Sequence, residues 1–375
     1  MNLRTVFGAG GPWARGRAAR LCIPWAGIAL AMLISMVGLP AIAVAKGKPS
    51  PPPQQPPEPT PADPPARYWH SFTGNGSNNI GAGRLFLIGG SGDERADYET
   101  FADFWYYATD SRQWVLAPTG RSKPSGRNHA GLSCGAGECV TSNGVRVGLL
   151  KETWVYSERS GSWSQINCRK QLCPSARKNV AMAYDRDRFY HLLFGGEGGA
   201  NGRESLGDTW SFAGGAWTRE QPDSSPPARW WAATVYAGPP VGGIVLFGGL
   251  QGYVDLFDDM WVWDGIDWQP VIVTGDLSPP SLFGHSITWD GDRLLVTGGY
   301  MDLHDTPNKT AWSFTFDGAR SGRWSKEPDT SGCYASVKPG AVMAYDRSQK
   351  LKVFFGGAEN GPDGVIAYGE SVICE

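Results

Sequence analysis

The 375 residues carry 34 Lys and Arg against 36 Asp and Glu, a formal net charge of −2. No basic stripe of the kind that neutralises phosphates occurs, which excludes nucleic acid as a partner. Aromatic side chains make up 12% of the chain, a share suited to wedge-shaped sheets filled by large rings.

Residues 1–45 hold Arg4, Arg15, Arg17 and Arg20, no acid, and then an uncharged stretch from Leu21 to Ala45 that ends Ala41-Ile42-Ala43-Val44-Ala45. A charged start, an apolar middle and small residues at the exit describe a secretory signal cleaved near Ala43 or Ala45. The apolar part is also long enough for an uncleaved anchor with its arginine end inside, which would attach the protein to a membrane through residues 21–45. Pro24 and Pro40 flank its core and favour cleavage. Without the four arginines of this segment, the charge balance falls to 30 basic against 36 acidic side chains, a net charge of −6. Residues 46–66 are dominated by proline, cannot bury a core, and read as an extended, solvated spacer.

From Arg67 to Glu375 one pattern recurs six times at a spacing of about fifty residues. An idealised copy reads Pro-Pro-Ala-Arg, an apolar strand, a second apolar strand ending Gly-Gly, an acid two residues before a Trp, then another Trp. The copies open at Arg67, Arg127, Arg177, Arg229, Leu282 and Lys338. The diglycines are Gly89-Gly90, Gly195-Gly196, Gly248-Gly249, Gly298-Gly299 and Gly356-Gly357, and the second copy has Asn143-Gly144 instead. Asn and Gly are the residues that best tolerate positive φ. Tryptophans of the third strand are Trp105, Trp154, Trp210, Trp261 and Trp312, with Val372 in the sixth place; those of the fourth are Trp114, Trp163, Trp217, Trp268 and Trp324, with none in the sixth copy. Short apolar runs closed by glycine, such as Arg84–Gly90 and Gly243–Gly249, predict strands buried on both faces.

This pattern resembles the kelch-repeat family, the propellers related to the central domain of galactose oxidase. The resemblance covers residues 67–375 and implies an all-β, six-bladed kelch-type β-propeller; the sixth copy stops after its third strand, so a three-stranded last blade is the expectation there. It leaves function open, because family members range from oxidases and sugar epimerases to scaffolds that bind other proteins.

Six cysteines lie beyond residue 45, an even number in a chain read as exported, so disulfides are expected. Cys134 with Cys139 reads as a bridge across a four-residue hairpin loop, Cys168 with Cys173 as a staple between the second and third copies, and Cys333 with Cys374 follows by parity. A zinc site would need two such pairs to meet across different blades.

The copper radical site of galactose oxidase needs two His, two Tyr and a Cys joined to one tyrosine. Here His70, His129 and His285 fall on or near one first-strand repeat position, His191 lies inside an apolar strand, and only His304 sits in an expected exposed loop. No cofactor, metal or catalytic residue is therefore assigned. Asp103, Glu152, Asp208, Asp259 and Glu370 recur two residues before the third-strand Trp position, which marks a framework role in accepting hydrogen bonds from turn amides; the fifth copy has Thr310 there.

The loops after the diglycines share one rim, and loops on a rigid scaffold are where binding residues gather. Two adjacent copies place rings beside carboxylates, making Tyr253, Asp255, Tyr300, Asp302, His304 and Asp305 the expected contacts for a glycan or protein ligand. Asn75-Gly76-Ser77 and Asn308-Lys309-Thr310 are glycosylation sequons. The expectation is a monomeric, exported binding module at the cell surface or outside the cell. The alternative is a carbohydrate-active enzyme, similar to a sugar epimerase or copper radical oxidase, on the same scaffold.

Overall fold

The computed structural model describes residues 63–74, 83–92, 100–328, 334, 338–361 and 364–374. The signal or anchor over residues 1–45, the spacer as far as residue 62, the Asn75 sequon and Cys333 lie outside the described residues.

Each copy of the repeat folds as an antiparallel meander. Blade one comprises Ser71–Gly74, Arg84–Ile88, Phe104–Ala108 and Gln113–Leu116, and blade two Gly131–Gly135, Glu138–Ser142, Thr153–Ser157 and Ser162–Gln165. Blade three comprises Ala181–Asp185, Tyr190–Gly198, Glu204–Ala213 and Ala216–Arg219, and blade four Ala233–Ala237, Gly243–Phe247, Met260–Trp263 and Trp268–Pro270. Blade five comprises Ser286–Trp289, Arg293–Thr297, Trp312–Phe316 and Ser321–Lys326, and blade six only Val342–Asp346, Leu351–Phe355 and Ser371–Cys374. The first strands touch one another in turn around a closed ring, with that of blade six against that of blade one. The result is an all-β, six-bladed propeller with no α-helix among the described residues. Second strands such as Gly243–Phe247 are buried along their whole length, because a neighbouring blade covers each face.

The diglycine is the joint between blades. Gly90 donates its amide to the carbonyl of Arg127, the opening residue of the next blade, at 2.8 Å, and a Cβ on Gly89 would lie 2.3 Å from the same oxygen. Both glycines have positive φ, a conformation that costs a side chain little only when there is none. Gly196, Gly249 and Gly357 repeat the bond to Arg229, Leu282 and Arg67, the last closing the ring. In blade two Asn143 takes the first place with φ 64°, and Gly144 bonds the Arg177 carbonyl at 2.9 Å.

The recurring acids are framework, but their partners are not the turn amides expected. Asp208 accepts both terminal nitrogens of Arg177, at 2.5 and 2.9 Å, and the Trp210 indole at 2.7 Å, while Arg177 also donates to the Gly195 carbonyl. Arg67 with Asp103 and Trp105, Arg127 with Glu152 and Trp154, and Arg229 with Asp259 and Trp261 repeat this unit. Burial alone would raise the Asp208 carboxyl, yet Arg177 and the Trp210 indole hold it below its ordinary value. Blade six departs: Lys338 pairs with Glu359 at 3.1 Å, and Glu370 is exposed.

Three of the fourth-strand tryptophans hydrogen-bond the preceding blade. Trp217 bonds Thr153 and Trp268 bonds Thr209, each at 2.9 Å, and Trp114 makes the same 2.9 Å bond to Ser371 across the ring closure. Blade six thus keeps its register although Val372 replaces the third-strand Trp. Phe72, Leu85 and Trp114 pack there with Val353 and Phe355.

Cys134 and Cys139 form a disulfide between directly paired strand residues, and the hairpin loop is two residues, Ala136 and Gly137, not four. Both have positive φ, which suits the twist of a two-residue hairpin. Cys168–Cys173 bridges the connection between blades two and three. Cys374 is disulfide-bonded as well. Alkylation without reduction, read by mass spectrometry, should label none of these five, and reducing each short-loop bridge should cost about 2 kcal/mol of stability.

Candidate functional site

Two residues after each blade opening the chain turns through a left-handed conformation: Trp69, His129, Asn179, Trp231, Gly284 and Gly340 have φ between 53° and 71°. These six residues form the neck of the central channel on the face that also carries the post-diglycine loops. Their backbones are linked blade to blade, His129 to Trp69, Asn179 to His129, Trp231 to Asn179 and Gly284 to Trp231, at 3.0–3.1 Å. The Trp69 and His129 rings lie 4.4 Å apart, and those of His129 and Trp231 5.8 Å apart. Burial between them, with Lys178 nearby, holds His129 down at about 3, so it stays neutral at physiological pH.

Blades one to four therefore place side chains at the neck, and blades five and six place none. The same junction lacks the other joints of the ring. Leu282 replaces the opening arginine of blade five, Thr310 replaces its acid, and a Cβ at Gly298 would meet no atom within 4 Å. Asn308 takes over the missing arginine's task, donating to the Gly298 carbonyl at 3.1 Å and to Thr310 at 2.9 Å. Its amide is thus committed and buried, so the Asn308 sequon does not present a free side chain.

A cavity of about 760 Å³ occupies this open junction. Its aromatic wall is Tyr68, Trp69, Trp231 and Tyr300, and its charged rim is Asp305, Lys309, Lys338 and Glu359. Trp69 is 39% exposed, unusual for a ring of its size. Tyr300 lies tilted against Phe283 at 5.6 Å, and Phe283 lies parallel to Trp231 at 5.5 Å, so the wall is braced from behind. Glu359 accepts Lys338 at 3.1 Å and the Tyr368 hydroxyl at 2.8 Å.

The six residues expected at the rim separate. Tyr300 and Asp305 line the cavity. Asp302 braces its own loop, accepting the amides of His304 at 2.9 Å and Thr306 at 3.1 Å, and His304 is exposed. Asp255 is exposed in a short ribbon of blade four. Tyr253 lines a different hollow with Lys178 and Arg203, donating to buried Glu197 at 2.8 Å, and burial followed by that bond pushes its hydroxyl up to about 12. Sequence reasoning missed Trp69, Trp231, Lys309, Lys338 and Glu359. The available signal was the neck position, two residues after each opening, where glycine replaces larger residues only in the fifth and sixth copies.

The residues do not fit the copper radical set of galactose oxidase. The His70 and His285 rings pack edge-on against Phe355 and Phe247, and every described cysteine is in a disulfide, so none can join a tyrosine.

A closed ring of six meanders with one cavity-forming junction at the hub defines a propeller-type binding scaffold. The family model described as the KLHDC2/KLHL20/DRC7 Kelch-repeats domain matches residues 54–239, and the chain belongs to the kelch-repeat propellers. A search of curated proteins gives no match to it.

Proposed function

We propose that this kelch propeller is an exported module that captures a protein ligand by taking one of its exposed segments into the cavity between blades five and six. The observation that carries this reading is the paired glycine at the neck, Gly284 and Gly340, which opens an aromatic wall flanked by charges of both signs. Trp69, Trp231 and Tyr300 supply the apolar anchor surface, and Asp305, Lys309 and Lys338 suit a polar backbone and its charged neighbours. Proximity of Cys134 to Cys139 and of Cys168 to Cys173 in disulfides accords with an oxidising compartment.

The test is a peptide array and a glycan array probed with the purified protein, followed by titration of the captured ligand. Trp69→Ala and Tyr300→Ala should each weaken capture about 10-fold or more. Asp255→Ala, outside the cavity, should change it less than about 3-fold. Unchanged capture in both ring variants, with melting temperatures preserved, would reject the assignment, and capture confined to glycans would replace the protein ligand with a carbohydrate.

A further inference from the structure

The cavity between blades five and six is rich in hydrogen-bond donors and short of acceptors, which narrows what can fill it. Its five rings are Tyr68, Trp69, Trp231, Tyr300 and Tyr334, all of them types that carry an N–H or O–H. The Trp69 and Trp231 indoles and the Tyr300 hydroxyl make no hydrogen bond among the described residues. Lys309 is exposed and makes no ion pair among them.

Thr297 adds a buried donor where most blades have none. The residue before the diglycine is Ile88, Phe194, Phe247 and Phe355 in blades one, three, four and six, and blade two has Ser142 at that place. Ser142 donates its hydroxyl to Asn143 at 2.8 Å. Thr297 lines the cavity and is 3% exposed, and its hydroxyl has no partner among the described residues. A buried hydroxyl in that state costs free energy until something accepts from it, and here the acceptor has room to come from a ligand.

Acceptors on the lining are largely committed. Glu359 takes Lys338 and the Tyr368 hydroxyl, and Asn308 accepts the Thr310 amide. Asp305 is the one rim carboxylate with no ion pair among the described residues. An ordinary peptide brings an N–H with every residue, and a sugar brings a donor with every hydroxyl. Both call for acceptors that this wall lacks. Proline brings a carbonyl and no N–H, and a polyproline II helix leaves all of its carbonyls free. Such segments dock in aromatic-lined grooves, their conformation set before binding. One turn is three residues and ~9 Å long, which matches the edge of a cube of the cavity's volume, about 760 Å³.

We infer that the segment taken into this cavity is a proline-rich stretch in the polyproline II conformation. Its rings lie on Trp69, Trp231 and Tyr300, its carbonyls accept from those side chains and from Thr297, and Asp305 holds a basic residue beside it. The inference rests on the function proposed above and specifies its ligand.

Fluorescence anisotropy of a dye-labelled nonaproline peptide ending in arginine, titrated with the purified protein, tests it. The same peptide with alanine at alternate prolines should bind at least 10-fold more weakly, because alanine restores N–H groups and loosens the helix. Tyr300→Phe combined with Thr297→Val keeps the ring and the branched shape but removes two donors, so affinity for nonaproline should fall about 10-fold. Its melting temperature should hold, since neither hydroxyl has a partner within the described residues. Replacing the terminal arginine with alanine should weaken binding to the wild type and make no difference to Asp305→Ala. Equal binding of the two peptides, or affinity untouched by the double variant at unchanged melting temperature, overturns the inference. Capture of a proline-free peptide or of cellotetraose through Trp69, with nonaproline unbound, keeps the cavity as the capture site and overturns the ligand class. Nonaproline binding that survives both Trp69→Ala and Tyr300→Ala overturns the cavity itself.

Discussion

Asp208→Ala should lower the stability of the propeller by about 3–5 kcal/mol, because it leaves the Arg177 guanidinium in the interior without its counter-charge. Arg177 is 1% exposed and donates to both Asp208 oxygens, and its other acceptors, the Ser175 and Gly195 carbonyls and the Ser175 hydroxyl, are neutral. For a domain of this size the melting temperature should fall on the order of 10 °C. Blade five shows what tolerates the loss: it lacks both partners, with Leu282 fully buried where the arginine would be and Thr310 where the acid would be. The double variant Arg177→Leu with Asp208→Thr should therefore be clearly more stable than Asp208→Ala alone, since it removes the buried charge as well as its partner. Asp302→Ala should leave the melting temperature close to that of the wild type, because Asp302 braces only an exposed loop through two amides. Thermal unfolding of the four proteins decides the point. A double variant no better than Asp208→Ala would mean that the pair contributes through shape and hydrogen bonding instead of charge balance.

The repeat made the blades legible because each structural task is assigned to a residue type. A diglycine is needed where Gly89 would otherwise strike the Arg127 carbonyl, and an acid is needed between Arg177 and the Trp210 indole. Recurrence thus separated framework acids from the rest, although it did not show that their partner was the recurring arginine, some thirty residues away. The neck was illegible for the opposite reason. Trp69, His129, Asn179, Trp231, Gly284 and Gly340 share a backbone conformation and no side-chain chemistry, so nothing in their identities announces a common position. The cavity is harder still to read, since it is made by what blades five and six lack. Density of rings and carboxylates in the loops pointed to the face that carries the cavity, but Tyr253 turned to Glu197 and Asp302 to its own loop amides.

Acidification should destabilise the protein steeply between about pH 6.5 and pH 4, through histidines that fold neutral. Burial lowers His70 and His285 to about 3, with Arg67 adding to the effect at His70. Both lie at the equivalent first-strand position, enclosed by the next residues of the ring and by Phe355 and Phe247 respectively. In the unfolded chain they regain an ordinary value near 6.5. Between the folded and unfolded values the unfolded state binds more protons, so their contribution is fully present above pH 6.5 and is lost as the pH falls towards 3. Each histidine contributes about 1.4 kcal/mol per pH unit, so the two together give roughly 3 kcal/mol per unit, a large part of the 5–15 kcal/mol that typically holds a domain together. His129 adds to the slope in the same direction. Asp208, Asp259 and Glu152, each held below its ordinary value, lose their share at lower pH, through their folded values. Denaturant unfolding followed by tryptophan fluorescence at half-unit steps gives the slope directly. Replacing His70 and His285 with Gln should flatten it by about two protons even if the absolute stability drops, because Gln does not titrate. A slope near zero in the wild type from pH 6.5 to 4.5, or one untouched by the double replacement, would show that these rings are not held neutral by the fold.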